Sequence, residues 1–452
     1  MKLMKRLLAV ILSVVMILSL TFSSAFAATR TLKGSDYTTV FVHGMMGWGE
    51  DDDLNMLYDY WGITSGSQMD YLTGLGYDVC EASVGPLSSC WDRTCELYAQ
   101  LTGTRVDYGA YHAQKYGHER YGRDYTGKSI LNYTWSAKNK INLVGHSFGG
   151  ATSRYLADLL KDGNAKEVAA AKAAGTSVSP LFTGGKGDWV YSITTISSPN
   201  NGTSFLESIP DLGELVVQAY LLYGEALAAS GIFSGFLDYQ LDQFGITLQD
   251  GEDPLSAFVR ILTETDFLDH NDNCLVDLTI DKTNAMNQKL EQSSDIFYFT
   301  YTGQTTYQEA LTGAVLPKPT TNPLMLFFST AIGNYTGTTS GSYPDGYGSY
   351  ETTVKVHNQT VGTAWQPNDG LTNVCANKAP YYITSAGTKV TNRYINATDS
   401  TSNFKPGYWY VMPVVDMDHV AIIGGMFNEN PLNVQNFYKS LMQRINSCTR
   451  TA

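Results

Sequence analysis

Read for its alternation of apolar and polar positions, the chain divides into short β-branched and aromatic runs separated by longer mixed stretches. "TTVFVHG", "YDVCEASV", "INLVGHS", "WVYSITTIS" and "DIFYFTYTG" are rich in Val, Ile, Thr, Tyr and Phe, the pattern of buried strands. "FGGATSRYLADLL" and "VQNFYKSLMQRI" instead repeat apolar residues at helical spacing. Strands alternating with helices predict an α/β architecture, a mostly parallel central sheet covered by helices on both faces. The polar, Gly- and Tyr-rich stretch "GTTSGSYPDGYGSY" (337–350) predicts a long loop. No repeat of fixed period and no linker-like composition is present, which favours one domain with large insertions.

The first 27 residues read differently. Lys2, Lys5 and Arg6 precede an uncharged apolar run from Leu7 to about Phe22, and Ala25-Phe26-Ala27 fits a small-x-small cleavage site. This predicts a signal peptide over 1–27 and a secreted, extracellular mature chain over 28–452, with no stable membrane anchor after cleavage. Removing it takes three positive charges from a net charge of -13 and leaves -16. Such a surface disfavours nucleic acid and anionic membranes as partners, but does not oppose a neutral ester, lipid or polymer. The six cysteines allow 15 pairings, and the sequence does not choose among them.

Candidate chemistry centres on "INLVGHSFGGATSRYLADLL", where Gly145-His146-Ser147-Phe148-Gly149 form G-x-S-x-G between an apolar strand and a helix. That context is a nucleophile elbow, the strained strand-to-helix turn of an α/β-hydrolase. Its chain order is Ser, then an acid, then His. His419 in "VVDMDHVAIIG" is the candidate base, because His43 and His146 lie in motifs with other roles. Several carboxylates stand as acid candidates. Asp369, in the turn "QPNDGLTN", heads them, and Asp416 and Asp418 are so close to His419 in sequence that the geometry is harder to satisfy. An oxyanion hole needs two backbone N–H groups, expected from Phe148 and from Met45 in "TTVFVHGMMGWGEDD". His112 and His118 in "YHAQKYGHER" are six residues apart, a spacing that on its own leaves metal ligands and ordinary loop histidines both open.

Taken together, "HGMMGWG", "VGPLSSCWDRTCELYAQLTG", "VDYGAYHAQKYGHERYGR", "SPLFTGGKGDWV", "LDQFG", "ALTG", "NDG" and "DHVAIIG" resemble the secreted lipases of thermophilic Bacillus/Geobacillus relatives and staphylococci. The resemblance runs in order over nearly all of the mature chain. It implies an α/β-hydrolase fold with a Ser147, Asp369, His419 triad. It also implies a zinc-binding insertion over approximately 84–125, with Asp92, His112, His118 and Asp272 as ligands of a structural Zn2+. Four N and O ligands suit a closed tetrahedral site with no position left for substrate. One departure stands out. Relatives bind calcium through an acidic residue two places after the base, where this chain has Ala421, and through a second near Gly425-Met426, so calcium is expected to be absent. Phe148 and Gly145, which flank the nucleophile, also depart from the family but are compatible with the elbow.

The stretch "LGELVVQAYLLYGEALAASGIF" (212–233) is apolar on nearly every face and reads as either a buried helix or, as the resemblance implies for about 205–245, a lid. The expected activity is that of a secreted serine carboxylic-ester hydrolase, a triacylglycerol lipase foremost. A carboxylesterase or aliphatic polyester hydrolase is the near alternative. A hydrolase fold used only for binding is the alternative from another class.

Overall fold

The computed structural model describes residues 31–425 and 430–451, apart from 57, 209–237, 250, 251, 253, 336–340, 343–348, 351–354, 357, 358 and 361. The expected signal peptide and the apolar stretch 212–233 therefore lie outside the described residues.

Each of the five apolar runs forms a strand: β1 (Thr39–Val42), β2 (Val79–Ala82), β3 (Ile141–His146), β4 (Val190–Ile196) and β5 (Phe297–Tyr301). Two three-residue strands that the pattern does not predict, β6 (Tyr394–Asn396) and β7 (Trp409–Val411), extend one side. The seven strands are parallel and ordered β6-β7-β5-β4-β3-β1-β2. This is the α/β-hydrolase arrangement, and the reason for it lies in the strands. Phe41, Val144, Tyr191, Phe297 and Phe299 point into one core, and Val40, Val42, Leu143, Ile193 and Tyr298 into the other. A sheet apolar on both faces must be covered on both.

The two predicted helices supply covers on opposite faces. Helix α3 (Phe148–Asp162) contributes Leu156, Leu159 and Leu160 to the second core, while α5 (Pro431–Ser447) contributes Tyr438, Leu441 and Ile445 to the first. Each such side chain contributes roughly 1.5–3 kcal/mol when fully buried. Helix α5 starts where Asn430 caps the Leu432 N–H and Pro431 occupies the first turn.

Helix α1 (Cys90–Thr102), capped by Ser89, is buried from Cys90 to Leu101 although half its residues are polar. Each of the long polar groups has a fixed partner. Glu96 accepts from the Gly85 N–H and the Tyr108 hydroxyl, and Gln100 exchanges two hydrogen bonds with the Ser83 backbone. Helix α2 (Ala110–Tyr116) and the antiparallel pair Arg105–Asp107 with Tyr121–Asp124 complete the insertion. The stretch expected as a loop over 337–350 departs from that expectation at its described ends, where Gly341–Ser342 pairs antiparallel with Ser349–Tyr350.

Between β3 and α3 the backbone turns so tightly that side chains do not fit. A Cβ on Gly145 would lie 2.4 Å from the Gly149 carbonyl carbon, and one on Gly149 would lie 2.1 Å from the Val42 oxygen of β1. Gly149→Ala is therefore expected to destabilise the protein by about 1–3 kcal/mol or more through overpacking, read as a lowered thermal midpoint. An unchanged midpoint would mean that α3 and β1 can separate without cost.

Candidate active site and metal centre

Ser147 sits on this turn with φ 53° and ψ -127°, a strained conformation for a residue with a side chain. The loop after β1 packs directly against it: a Cβ added to Gly44 would come within 2.7 Å of the Ser147 Cβ and 3.2 Å of its Oγ. In that loop the Gly44 N–H donates to the Tyr60 hydroxyl at 3.0 Å, the Met46 N–H to the Pro86 carbonyl at 3.0 Å and the Gly47 N–H to the Gly44 carbonyl at 3.3 Å. The Met45 N–H and the Phe148 N–H, the first of α3, have no acceptor among the described residues. Two unspent donors beside a serine at a helix N-terminus can hold a developing oxyanion.

Asp369 and His419 meet although 50 residues apart. His419 Nδ1–H donates to Asp369 Oδ2 at 3.0 Å, and the His419 backbone N–H donates to the Asp369 carbonyl at 2.8 Å. The carboxylate also accepts from the Thr372 hydroxyl and from the Leu371 and Thr372 N–H groups. Burial pushes its pKa up, but the His419 charge and these bonds outweigh burial and hold it below the ordinary carboxylate value. With Nδ1 protonated, Nε2 of His419 keeps its lone pair. The ring lies 4.7 Å from that of His146, the residue preceding Ser147. Asp416 instead pairs with Lys318 on the surface, and Asp418 accepts from the N–H groups of Asn322, Val420 and Ala421. His43 is buried and its two nitrogens face the Gly44 carbonyl and the Val84 N–H, so neither is available as a base.

Arg93, which the sequence pattern did not single out, is fully buried beside this site. Its guanidinium donates to the carbonyls of His43, Gly44 and Gly85 and to the Thr152 hydroxyl, and lies 5.3 Å from the Phe148 ring. It therefore fixes the carbonyl groups of the loop that packs against Ser147. Only its place in the middle of a helix core could have marked it, because an unpaired arginine there is unfavourable.

An apolar wall flanks the Asp369–His419 pair. Met325, Leu324 and Phe328 of α4 (Pro323–Asn334) pack with Phe205, Leu371 and Val420, and Met325 closes on Gly370, where φ is 110° and a Cβ would sit 2.9 Å from the methionine.

His112, His118, Asp92 and Asp272 converge, one ligand-capable atom from each lying within 4.8 Å of the others. The six-residue spacing of the histidines works because α2 ends between them. His112 lies on the helix, Gly117 takes the left-handed turn at φ 74°, and the chain returns His118 to within 5.3 Å, ring to ring. His112 Nε2 is 3.2 Å from Asp92 Oδ1 and 2.8 Å from Asp272 Oδ2, and His118 Nε2 is 3.3 Å from Asp272 Oδ2. His118 Nδ1–H donates to the Glu119 carbonyl, which leaves Nε2 an acceptor facing a carboxylate. Buried Asp92 Oδ1 and His118 Nε2 have no hydrogen-bond partner, an arrangement that fits a cation between them. Burial and the neighbouring Asp272 charge push Asp92 up, while contact with both histidines outweighs burial and holds Asp272 well down.

The loop after His419 does not fit the calcium that the family resemblance implies. Ala421 turns a backbone N–H toward Asp418, and its methyl offers no oxygen. Gly425 has no side chain, and Met426 lies outside the described residues.

Comparison with known proteins places the chain in a family. Residues 35–342 match the family model "Lipase-like, C-terminal domain". The chain is 33% identical to a lipase of Staphylococcus hyicus and 34% identical to one of Staphylococcus epidermidis, over 89% and 88% of its length. It spans about half the length of these relatives, 56% and 51%. Among solved structures it is similar to EstA from Clostridium botulinum (32% identity, TM-score 0.76, 93% of this chain and 90% of that one). It is also similar to the Staphylococcus hyicus lipase (30%, TM-score 0.68, 90% and 96%) and to lipase 1 from Pelosinus fermentans (31%, TM-score 0.72, 92% and 100%). With its fold, its elbow and these likenesses in agreement, the chain belongs to the lipase-like, C-terminal domain family.

Proposed function

We propose that this protein is a secreted carboxylic-ester hydrolase of the triacylglycerol lipase type, with Ser147, His419 and Asp369 as its triad. The observation that carries the proposal is the Asp369–His419 pair, packed against His146 next in sequence to a strained serine, with the Met45 and Phe148 N–H groups left without acceptors among the described residues. Ser147 Oγ attacks the ester carbonyl and gives its proton to His419 Nε2, while Asp369 steadies the resulting imidazolium. The Met45 and Phe148 N–H groups bind the oxyanion. His419 then protonates the leaving alcohol, and water, activated by the same histidine, releases the acid. The apolar wall of α4 suits an acyl chain. Short soluble esters, and aliphatic polyesters with the same bond, are the alternative substrates.

Zinc is the proposed metal. Asp92, His112, His118 and Asp272 would hold it in a closed set of N and O donors, where it supplies structure and no chemistry. The leader 1–27 is the proposed export signal, and no helix among the described residues is long and apolar enough to cross a membrane.

Asp369→Asn is expected to lower kcat on nitrophenyl esters by roughly 10⁴-fold and Ser147→Ala by roughly 10⁶-fold. The parent is expected to act on two-carbon through sixteen-carbon acyl chains and on emulsified triolein. Activity confined to short chains would make it an esterase. Parental activity in Ser147→Ala would remove the triad and favour a binding role.

Chelation is expected to lower the thermal midpoint by at least about 5 °C, with added zinc restoring it. A midpoint indifferent to chelator would exclude a structural metal. In the stripped protein burial lowers the His112 pKa, but Asp272 and Asp92 outweigh it and raise the value from 6.5 to about 9. A raised value contributes stability that is complete below 6.5 and lost as the pH rises through about 9. The stripped protein should therefore weaken across that range. The metal-loaded protein, whose histidines are already neutral, should not. A midpoint that rises with pH in the stripped protein would refute the pairing.

A further inference from the structure

Beneath the nucleophile runs a chain of buried polar groups that the triad does not use. The Gly44 N–H donates to Tyr60 Oη at 3.0 Å, the Tyr60 hydroxyl donates to His146 Nδ1 at 2.7 Å, and His146 Nε2–H donates to the His419 carbonyl at 3.0 Å. The direction is fixed at both ends. A backbone N–H can only donate and a carbonyl can only accept, so the tyrosine proton goes to Nδ1 and the imidazole carries its own proton on Nε2. His146 is 1% exposed and Tyr60 5%, and the Trp61 ring stands edge-on to both. Burial, and after it the neighbouring His419 charge, keeps His146 neutral, the state this bonding pattern requires.

The two ends of the chain are the two places where charge moves in the proposed reaction. At one end, holding the Gly44 N–H on Tyr60 while Arg93 holds the His43 and Gly44 carbonyls sets the tilt of the next peptide, whose Met45 N–H has no acceptor among the described residues and is the proposed oxyanion donor. At the other, the His419 main chain is gripped on its N–H by Asp369 and on its carbonyl by His146, so its imidazole turns about a fixed backbone. An apolar residue at position 146 would satisfy the strand, so the buried imidazole needs a reason beyond packing.

We propose that Tyr60 and His146 are positioning residues that lock the oxyanion loop and the base histidine into one mutual register. This rests on the ester-hydrolase reading above. Neither side chain touches the reacting atoms. Each acts through the backbone it holds.

The test uses Tyr60→Phe, His146→Gln, which keeps an N–H for the His419 carbonyl but offers Tyr60 no ring nitrogen, and the double variant. Each is measured for kcat and KM on a short nitrophenyl ester, for inactivation rate by a nitrophenyl phosphonate, and for thermal midpoint, with Ser147→Ala alongside. Tyr60→Phe is expected to lower kcat by about 10- to 100-fold, the scale of an ångström's misplacement. KM should stay near the parent, and phosphonate inactivation should slow in proportion. The double variant is expected to lose no more than the poorer single variant, because both break one chain. Parental kcat in Tyr60→Phe, losses that multiply in the double variant, or a lowered midpoint with full activity per folded site would each overturn the proposal. Tyr60→Phe preserves ring volume and decides the matter alone if the histidine variants do not fold. Activity surviving in Ser147→Ala would instead overturn the underlying reading, a distinct result.

Discussion

The first turn of α3 lies directly against the end of β1, with no room for a methyl group between Gly149 and the Val42 carbonyl. That close approach governs the functional end of the molecule. Because the helix starts so near the strand, its N-terminus and the loop after β1 open onto the same small space. Ser147 is forced into its strained turn between them, and Gly44 lies against its side chain, where an added Cβ would come within 2.7 Å. The strained turn at Ser147 and the placing of the Gly44 loop against it thus follow from one packing contact that the rest of the sheet holds in place.

Charge is distributed around that contact by burial with fixed partners. Asp369 takes donors from the Thr372 hydroxyl, two backbone N–H groups and His419, so it stays ionised without solvent. Arg93 is satisfied largely by carbonyl oxygens, which places a cation next to the loop without a carboxylate hydrogen-bonded to it. Burial lowers its pKa, yet guanidinium starts so high that it remains charged. A permanent positive charge at this place favours negative charge developing nearby.

Much of this was legible in the sequence, for identifiable reasons. The five central strands announced themselves because parallel strands buried on both faces read as continuous apolar runs. β6 and β7 did not, because three residues are too few to show a pattern, and Tyr394-Ile395-Asn396 of β6 is also exposed at the edge. Helix α1 was hidden by its polar residues, whose pairing with Ser83, Gly85 and Tyr108 only the folded chain supplies. Ser147 and His419 could be chosen from motif and chain order. Asp369 needed the family resemblance to separate it from Asp416 and Asp418, and the metal ligands needed it to join residues so far apart. Arg93 and Tyr60 were missed because their partners are backbone groups and side chains remote in sequence, Thr152 and His146, which leave no local signal.

The metal-centre donors come from a core helix, an inserted hairpin region and a segment far along the chain, with His112 and Asp272 separated by 160 residues. Closing a loop grows only slowly more unfavourable with its length, by about 0.6 kcal/mol for each doubling. Gathering such remote donors is therefore little harder than gathering near ones, but it cannot precede the sheet that brings them into range. The cluster thus depends on the finished architecture: four groups that the sheet and the insertion bring together, and that an ion held between them would fasten.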